Sequence, residues 1–514
     1  TGYINGSTNV NIGSITANIY GGGYNCGVSG QTNVSIGGTV NGEVYGGGYQ
    51  SYVGTTTNIT ITGNPRKNIY GGGESTAIAT AGVGKKNGSS WVAGTINIKF
   101  NSGTFSVKGN TVYKIYGGNK NIKLANDETL NENINITIGV LGSASKPNIY
   151  GEIYGGGVYD KINTAHITAI ANNITNDRGV TYGKLIIYGG SDIDNECEQS
   201  NIEIKGAVVD TIYGGEKVNG TIKNTNITFT SGTANNIYGG GNENSNVTKT
   251  TVKVNGGSVG NVYGAGLNGN ANETNITISG AVVTDVYGGE NNTNNSELII
   301  PKTNITMTSG NVTNIFGAGL NSGATQTNVK VSSGYITNIY GGVNTSGNVD
   351  NSNINITGGT VTNVYGGNLL GGDIKNTNVN MQGTTTITKD LYAGGYSSNI
   401  GTQNSNGNAT LNITGGTMNS DVNGGSYLGV VYGETNVNIG KNCVTTAANG
   451  IVAGDINIQG DIYGAGTSEY SKYKNEYDNA EVSDYNFDNT KSVIGNTNIK
   501  LDGKNANVIF NRNI

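Results

Sequence analysis

The sequence predicts an all-β chain wound as a parallel β-helix, and three observations predict it. The first is a recurring hexapeptide, Asn18-Ile19-Tyr20-Gly21-Gly22-Gly23, which returns as Glu43 to Gly48 and Asn68 to Gly73. Its tyrosines recur at Tyr20, Tyr45 and Tyr70, then at Tyr188, Tyr213, Tyr238, Tyr263 and Tyr287, in steps of 25 or 24 residues within each run. Phe316, Tyr340, Tyr365 and Tyr392 continue the series. A fixed period of this size marks a solenoid, in which each repeat buries its apolar face only against its neighbours.

The second observation is a motif lying half a period away, Thr32-Asn33-Val34-Ser35-Ile36, with close copies at Thr57, Thr225, Thr274, Thr303, Thr327 and Thr497. Apolar and polar residues alternate in it with a period of two, which describes a strand with one buried face. The register predicted is Val34, Ile36, Ile59, Ile61, Ile227, Val329 and Val331 inward, with Asn33, Asn58 and Asn226 outward. A short apolar piece around Val40, Ile336 or Val361 follows a glycine corner, so each coil of about 25 residues carries two or three short strands.

The third observation is composition. Glycine is abundant, 87 of 514 residues, while proline numbers only 3. The glycines fall at fixed offsets from the strands, where a corner demands positive φ or close backbone approach. Proline would remove a ladder donor from a structure that needs almost all of them. Asparagine suits both the corners and amide ladders running from coil to coil.

The repeat runs nearly end to end, so residues 1–514 read as one continuous, elongated, right-handed β-solenoid. Insertions interrupt it near 74–94, 121–133, 171–184 and 467–492. Both termini fall inside the pattern without a polar cap, which reads as an internal segment of a longer protein. Charged residues make up 12% of the chain and the net charge is −5, which disfavours nucleic-acid binding. No apolar run approaches the length of a membrane helix.

Chemistry is sparse. The ladder Tyr20, Tyr45, Tyr70, Tyr188, Tyr213, Tyr238, Tyr263, Tyr287, Tyr340 and Tyr365 follows an inward Ile or Val at each turn. Its rings are expected to point outward, or into a corner against their counterparts one coil away. One reading is a packing device over the glycines; the other is an aromatic strip for sugar rings or a second rod. The cluster Asp192-Ile193-Asp194-Asn195-Glu196-Cys197-Glu198 is the candidate for calcium, although it lacks the glycine and terminal glutamate of an EF-hand loop. The single histidine, His166, reads as an ordinary strand residue, and Cys26, Cys197 and Cys443 are too scattered for a disulfide framework. Asn-x-Ser/Thr triplets arise from the strand alternation itself. No catalytic residue, cofactor or metal is assigned.

These motifs resemble the repeats of large bacterial cell-surface β-helix proteins, the adhesin and filamentous-haemagglutinin-like exoproteins. The likeness covers nearly the whole chain but is one of repeat style, and the coil is longer than many members use. It implies a secreted, surface-displayed, non-catalytic structural or adhesive segment. The partners it implies are a second copy in a fibre or a surface carbohydrate. A polysaccharide-acting enzyme on the same scaffold is the alternative, recognisable by a groove lined with Asp, Glu, Arg or Lys from neighbouring coils.

Overall fold

A computed structural model describes residues 3–74, 84–87, 90–105, 111–120, 132–159, 161–172, 184–194, 196–292, 298–440, 443, 455–466, 493, 495–501 and 508–510. The named elements among them are all strands. By their contacts they form two compact units, residues 1–260 with 265–271, and residues 261–264 with 272–514. Each unit is a parallel β-solenoid.

In the first unit the Thr-Asn-Val motifs stack as one parallel column. Thr8–Ile12 pairs with Thr32–Ile36, which pairs with Thr56–Ile61, which pairs with Thr95–Phe100, motif residue on motif residue. The column continues through Glu132–Ile138, Ile162–Ala169, Glu196–Tyr213 and Thr221–Tyr238. A second column pairs the Ile-Tyr pieces in the same way, with Tyr20 on Tyr45, Tyr45 on Tyr70, Tyr70 on Tyr116, and so on to Tyr238. The second unit repeats the scheme. Ile299–Met307, Gly323–Val331, Val349–Ile356 and Ile374–Met381 form one column. Gly310–Phe316, Tyr335–Tyr340 and Thr360–Tyr365 form the other.

The core is the predicted one. Val34, Ile36, Ile59, Ile61, Ile227, Val329 and Val331 are all buried, while Asn33, Asn58 and Asn226 are half-exposed. The outward asparagines hydrogen-bond from coil to coil: Asn33 Nδ2 donates to Asn9 Oδ1 at 3.0 Å, Asn58 to Asn33 at 2.9 Å, and Asn97 to Asn58 at 2.9 Å. His166 occupies one rung of this ladder, 3.3 Å from the amide nitrogen of Asn201. That is the ordinary strand position expected of it.

The motif's leading threonine does something the alternation did not specify. It points inward and donates across the core to the glycine carbonyl just past the tyrosine of its own coil. Thr32 reaches Gly46 O at 2.5 Å, Thr57 reaches Gly71 O at 2.7 Å, Thr225 reaches Gly239 O at 2.6 Å, and Thr327 reaches Gly341 O at 2.6 Å. These hydroxyls are fully buried, and each satisfies a carbonyl lone pair that would otherwise face apolar core.

Both predicted reasons for corner glycines are found. After the tyrosine the reason is close approach: a Cβ on Gly47 would lie 2.8 Å from Gly73 N of the next coil. Positive φ is met at other corners: glycines such as Gly310 and Gly334 supply it after the motif strand, and Asn25, Gln50, Asp194, Asn219, Asn244 and Asn268 adopt φ between 38° and 60° five or six residues past a ladder tyrosine. These residue types tolerate the left-handed region because a short polar side chain can bond locally.

Of the expected insertions, the first contains an antiparallel hairpin of Gly84–Asn87 with Ser90–Ala93. Nearly all of the segments at 121–133, 171–184 and 467–492 lie outside the described residues.

The cross-core bond makes a direct prediction. Thr303 is fully buried and donates to Gly317 O at 2.6 Å. Thr303→Val keeps the shape but leaves that lone pair unmet, which costs about 1–3 kcal/mol. Hydrogen exchange should show faster opening confined to the coil holding Thr303 and Gly317 and the coils on either side of it. Unchanged protection there would show that the hydroxyl contributes nothing to closing the coil.

Candidate functional site

The tyrosine ladder is the most regular side-chain feature of both units, and the structure turns its rings into the corner rather than out to solvent. In the first unit Tyr20, Tyr45, Tyr70, Tyr116, Tyr154, Tyr188, Tyr213 and Tyr238 form one continuous stack. Ring centroids lie 4.6 to 5.0 Å apart and the planes within 16° of parallel. In the second unit Tyr263, Tyr287, Phe316, Tyr340, Tyr365 and Tyr392 do the same at 4.7 to 5.5 Å. All but the half-buried Tyr20 have less than a tenth of their surface exposed. Each inner ring therefore has both faces covered by its neighbours. Such pairs contribute about 0.5–1.5 kcal/mol each beyond area burial, so the ladder is a principal stabiliser of coil stacking.

What the ladder leaves outward is its hydroxyl edge, and in the first unit a belt of charges grips that edge. Tyr20 donates to Glu74 at 2.6 Å, Tyr45 to Glu43 at 2.7 Å, Tyr116 to Asp192 at 2.7 Å, and Tyr154 to Glu152. Three lysines thread between the carboxylates. Lys120 Nζ lies 2.8 Å from Glu43 and 3.1 Å from Glu74. Lys114 Nζ lies 2.8 Å from Asp192 and 3.6 Å from Glu152, and Lys217 Nζ lies 3.1 Å from Glu152 and 3.8 Å from Asp192. Each ammonium also sits 5.3 to 5.7 Å from the centroids of two ladder rings, within cation–π range.

The electrostatics follow from this geometry. Burial works against the charge of Asp192, but hydrogen bonds from Lys114 and Tyr116 and the lysine charges outweigh it and hold its carboxyl below the usual range. Glu74 is lowered in the same way, burial being overcome by Tyr20 and Lys120. Burial, reinforced by the Glu74 carboxylate, pushes the Tyr20 phenol up to about 12, and the Tyr45, Tyr116 and Tyr154 phenols go higher still beside their own carboxylates. These hydroxyls are fixed donors, not acids.

The acidic cluster is accordingly drawn apart. Asp192 belongs to the belt, Asp194 forms the left-handed corner, Glu196 pairs with Lys161 at 3.1 Å and Glu198 with Lys223 at 2.6 Å. Among the described residues no group of three or more His, Cys, Asp or Glu side chains is gathered as a metal ion would require. Cys197 is buried, and burial pushes its thiol up, away from nucleophilic character.

The belt was hidden from sequence reasoning. Its members stand at two offsets from a ladder tyrosine: two residues before it (Glu43, Lys114, Glu152) or four after it (Glu74, Lys120, Asp192, Lys217). That offset was the available signal. Many of the partners, however, sit far apart in the chain across interrupted coils: Lys114 and Asp192 by 78 residues, Lys120 and Glu43 by 77, and Lys217 and Glu152 by 65.

A different pair of carboxylates lies inside. Glu216 and Glu290 each occupy the third position after a ladder tyrosine and are fully buried. Glu216 accepts from the Ser191 backbone N–H, and Glu290 from Asn292 Nδ2 at 3.2 Å. One oxygen of each carboxylate has no hydrogen-bond partner among the described residues. Burial raises both pKa values, that of Glu290 to about 8.

No family model, curated protein or solved structure matches the chain.

Glu290 yields a pH prediction. Its folded pKa of about 8 exceeds its ordinary value of 4.5, so its stabilising contribution is complete below about 4.5 and is lost as pH rises toward 8. Glu290→Gln keeps the shape and removes the ionisation. Unfolding midpoints of the natural chain and the variant should diverge from pH 5 to pH 8, the natural chain losing ground. Parallel curves across that window would show that Glu290 does not ionise on unfolding.

Proposed function

We propose that this chain is a non-catalytic structural and adhesive segment of an extracellular surface protein or fibre. The observation that carries the reading is the bonding of side chains between and within coils at three separate places on the wall. The aromatic stack, the outward asparagine ladder and the inward threonine closures all tie one coil to the next or close it on itself. Such a wall suits a chain that must hold its shape while presenting an Asn-rich, sparsely charged face to a partner. Two partners fit that face: a second copy of the chain, opposed by little charge repulsion, or a surface carbohydrate.

A polysaccharide-acting enzyme is the weaker reading. The carboxyls with raised pKa, Glu216 and Glu290, are fully buried and out of reach of a polymer. In the belt, the carboxyls of Asp192 and Glu74 are paired with lysines and held below the usual range, which suits them poorly to act as a general acid.

Beads coated with the purified chain test the reading. Retention several-fold above albumin-coated beads is expected on at least one of three surfaces: immobilised polysaccharide, glass, or beads bearing the same chain. Albumin-level retention on all three would overturn adhesion, and release of reducing ends from the polysaccharide would move the assignment to the enzyme.

A further inference from the structure

Tyr335 breaks the rule that governs the ladder. It is 68% exposed, against 6% or less for the ladder rings of its own unit. It opens the strand Tyr335–Tyr340, on the outward side, where its register partners are Asn311 in the preceding coil and Thr360 in the following one. Beside it lies a shallow trough of about 320 Å³. Ser309, Gly310, Asn311, Ser333, Gly334 and Thr360 line it together with the tyrosine. Gly310 and Gly334 adopt φ of 103° and 107°, so these corners remain side-chain-free and the floor stays open.

We propose that this trough is a binding subsite for one or two units of a neutral saccharide. The proposal deepens the adhesive reading by naming a partner class and a place for it. Three features select the ligand. The volume stands at the lower end of small-ligand sites, which begin near 300 Å³. The lining is wholly uncharged: hydroxyls, an amide, glycine backbone and one phenol. A charged ligand would lose hydration there without gaining a counter-charge, whereas a sugar's hydroxyls match hydroxyl and amide partners. Finally, the exposed ring offers the flat apolar face that a pyranose C–H face covers, with a polar tip that stays wet. In-register stacking places Asn311 and Thr360 one coil spacing, about 4.8 Å, to either side of the ring. A hydrogen-bonding group therefore flanks the platform in both directions along the column.

Isothermal titration of the full chain with cellohexaose, mannohexaose and chitohexaose tests this, with heparin as the polyanionic comparison. At least one neutral hexasaccharide should bind, with an affinity that changes little between low and moderate salt. Tyr335→Ala should weaken that binding at least tenfold while leaving the circular dichroism unchanged, and Tyr335→Phe should retain it. Tyr24→Ala, which removes another strongly exposed tyrosine (72%), should leave it unaltered. The subsite is overturned if no neutral hexasaccharide binds at millimolar concentration, if only heparin binds, or if Tyr335→Ala binds as well as the natural chain. The two readings fail separately. Adhesive beads whose retention and titration ignore Tyr335→Ala would sink the subsite and leave adhesion standing. Saccharide binding lost in Tyr335→Ala, with albumin-level bead retention, would do the reverse.

Discussion

Everything in either unit depends on how closely one coil lies on the next at the Tyr-Gly-Gly corner. There the backbones of successive coils touch: a side chain on Gly47 would collide with the amide of Gly73, and one on Gly289 with the amide of Gly319. That contact fixes the spacing of the ladder strands, and the spacing fixes the rest. Rings carried on adjacent strands about 4.8 Å apart can only stack face to face with a small offset, as Tyr188 and Tyr213 do at 4.9 Å. The outward asparagines come within amide–amide hydrogen-bond distance for the same reason. Glycine thus acts through what it omits.

Against this background the magnitudes rank the contributions. A stacked aromatic pair supplies about 0.5–1.5 kcal/mol. A partly exposed ion pair supplies about 0–1 kcal/mol, reduced further by salt. The belt of Lys114, Lys120, Lys217 and their carboxylates therefore decorates a ladder that already holds. Its distinct effect is on protonation. It keeps Asp192 and Glu74 ionised while making the neighbouring phenols obligate donors, so the hydroxyl edge keeps one hydrogen-bonding pattern through the physiological range. In the second unit that edge is built differently, from neutral or singly charged partners: Asn344 donates to the Tyr287 hydroxyl at 3.2 Å, and Tyr365 donates to Asp390 at 2.7 Å.

The strand alternation disclosed the core, its register and the asparagine face, because a period of two leaves no freedom once one face is buried. Three things it did not disclose have one physical cause. Thr57 reads as a polar residue at a strand start, and only the folded coil shows that Gly71 O lies opposite it across the core. Asp192 reads as part of a local acidic run, yet its partners are Lys114 and Lys217 on other coils. The direction of the tyrosines was open in the sequence, since a residue next to an inward Ile may face out along a straight strand or turn in where the strand meets its corner. In each instance the deciding neighbour stands a fraction of a coil, or several coils, away. Local pattern carries no information about it.

A regular wall has a further consequence for recognition. Where most coils present asparagine at the same height, with His166, Thr251 and Thr410 as departures, a partner meets nearly one environment repeated, and few positions on that face are distinguished from the next. Selectivity must then come from departures. Buried departures such as Glu216 and Glu290 alter stability and its pH dependence but cannot be touched. Charged departures such as the lysine belt are already satisfied by each other. Tyr335 is of a third kind: an exposed aromatic at a position where the neighbouring coils carry asparagine and threonine, above corners that glycine keeps empty. The serine, asparagine, threonine and glycine around it give such a residue an uncharged setting for a ligand with an apolar face and many hydroxyls. The same uniformity that stabilises the coils therefore concentrates recognition at the few places where the repeat is broken outward.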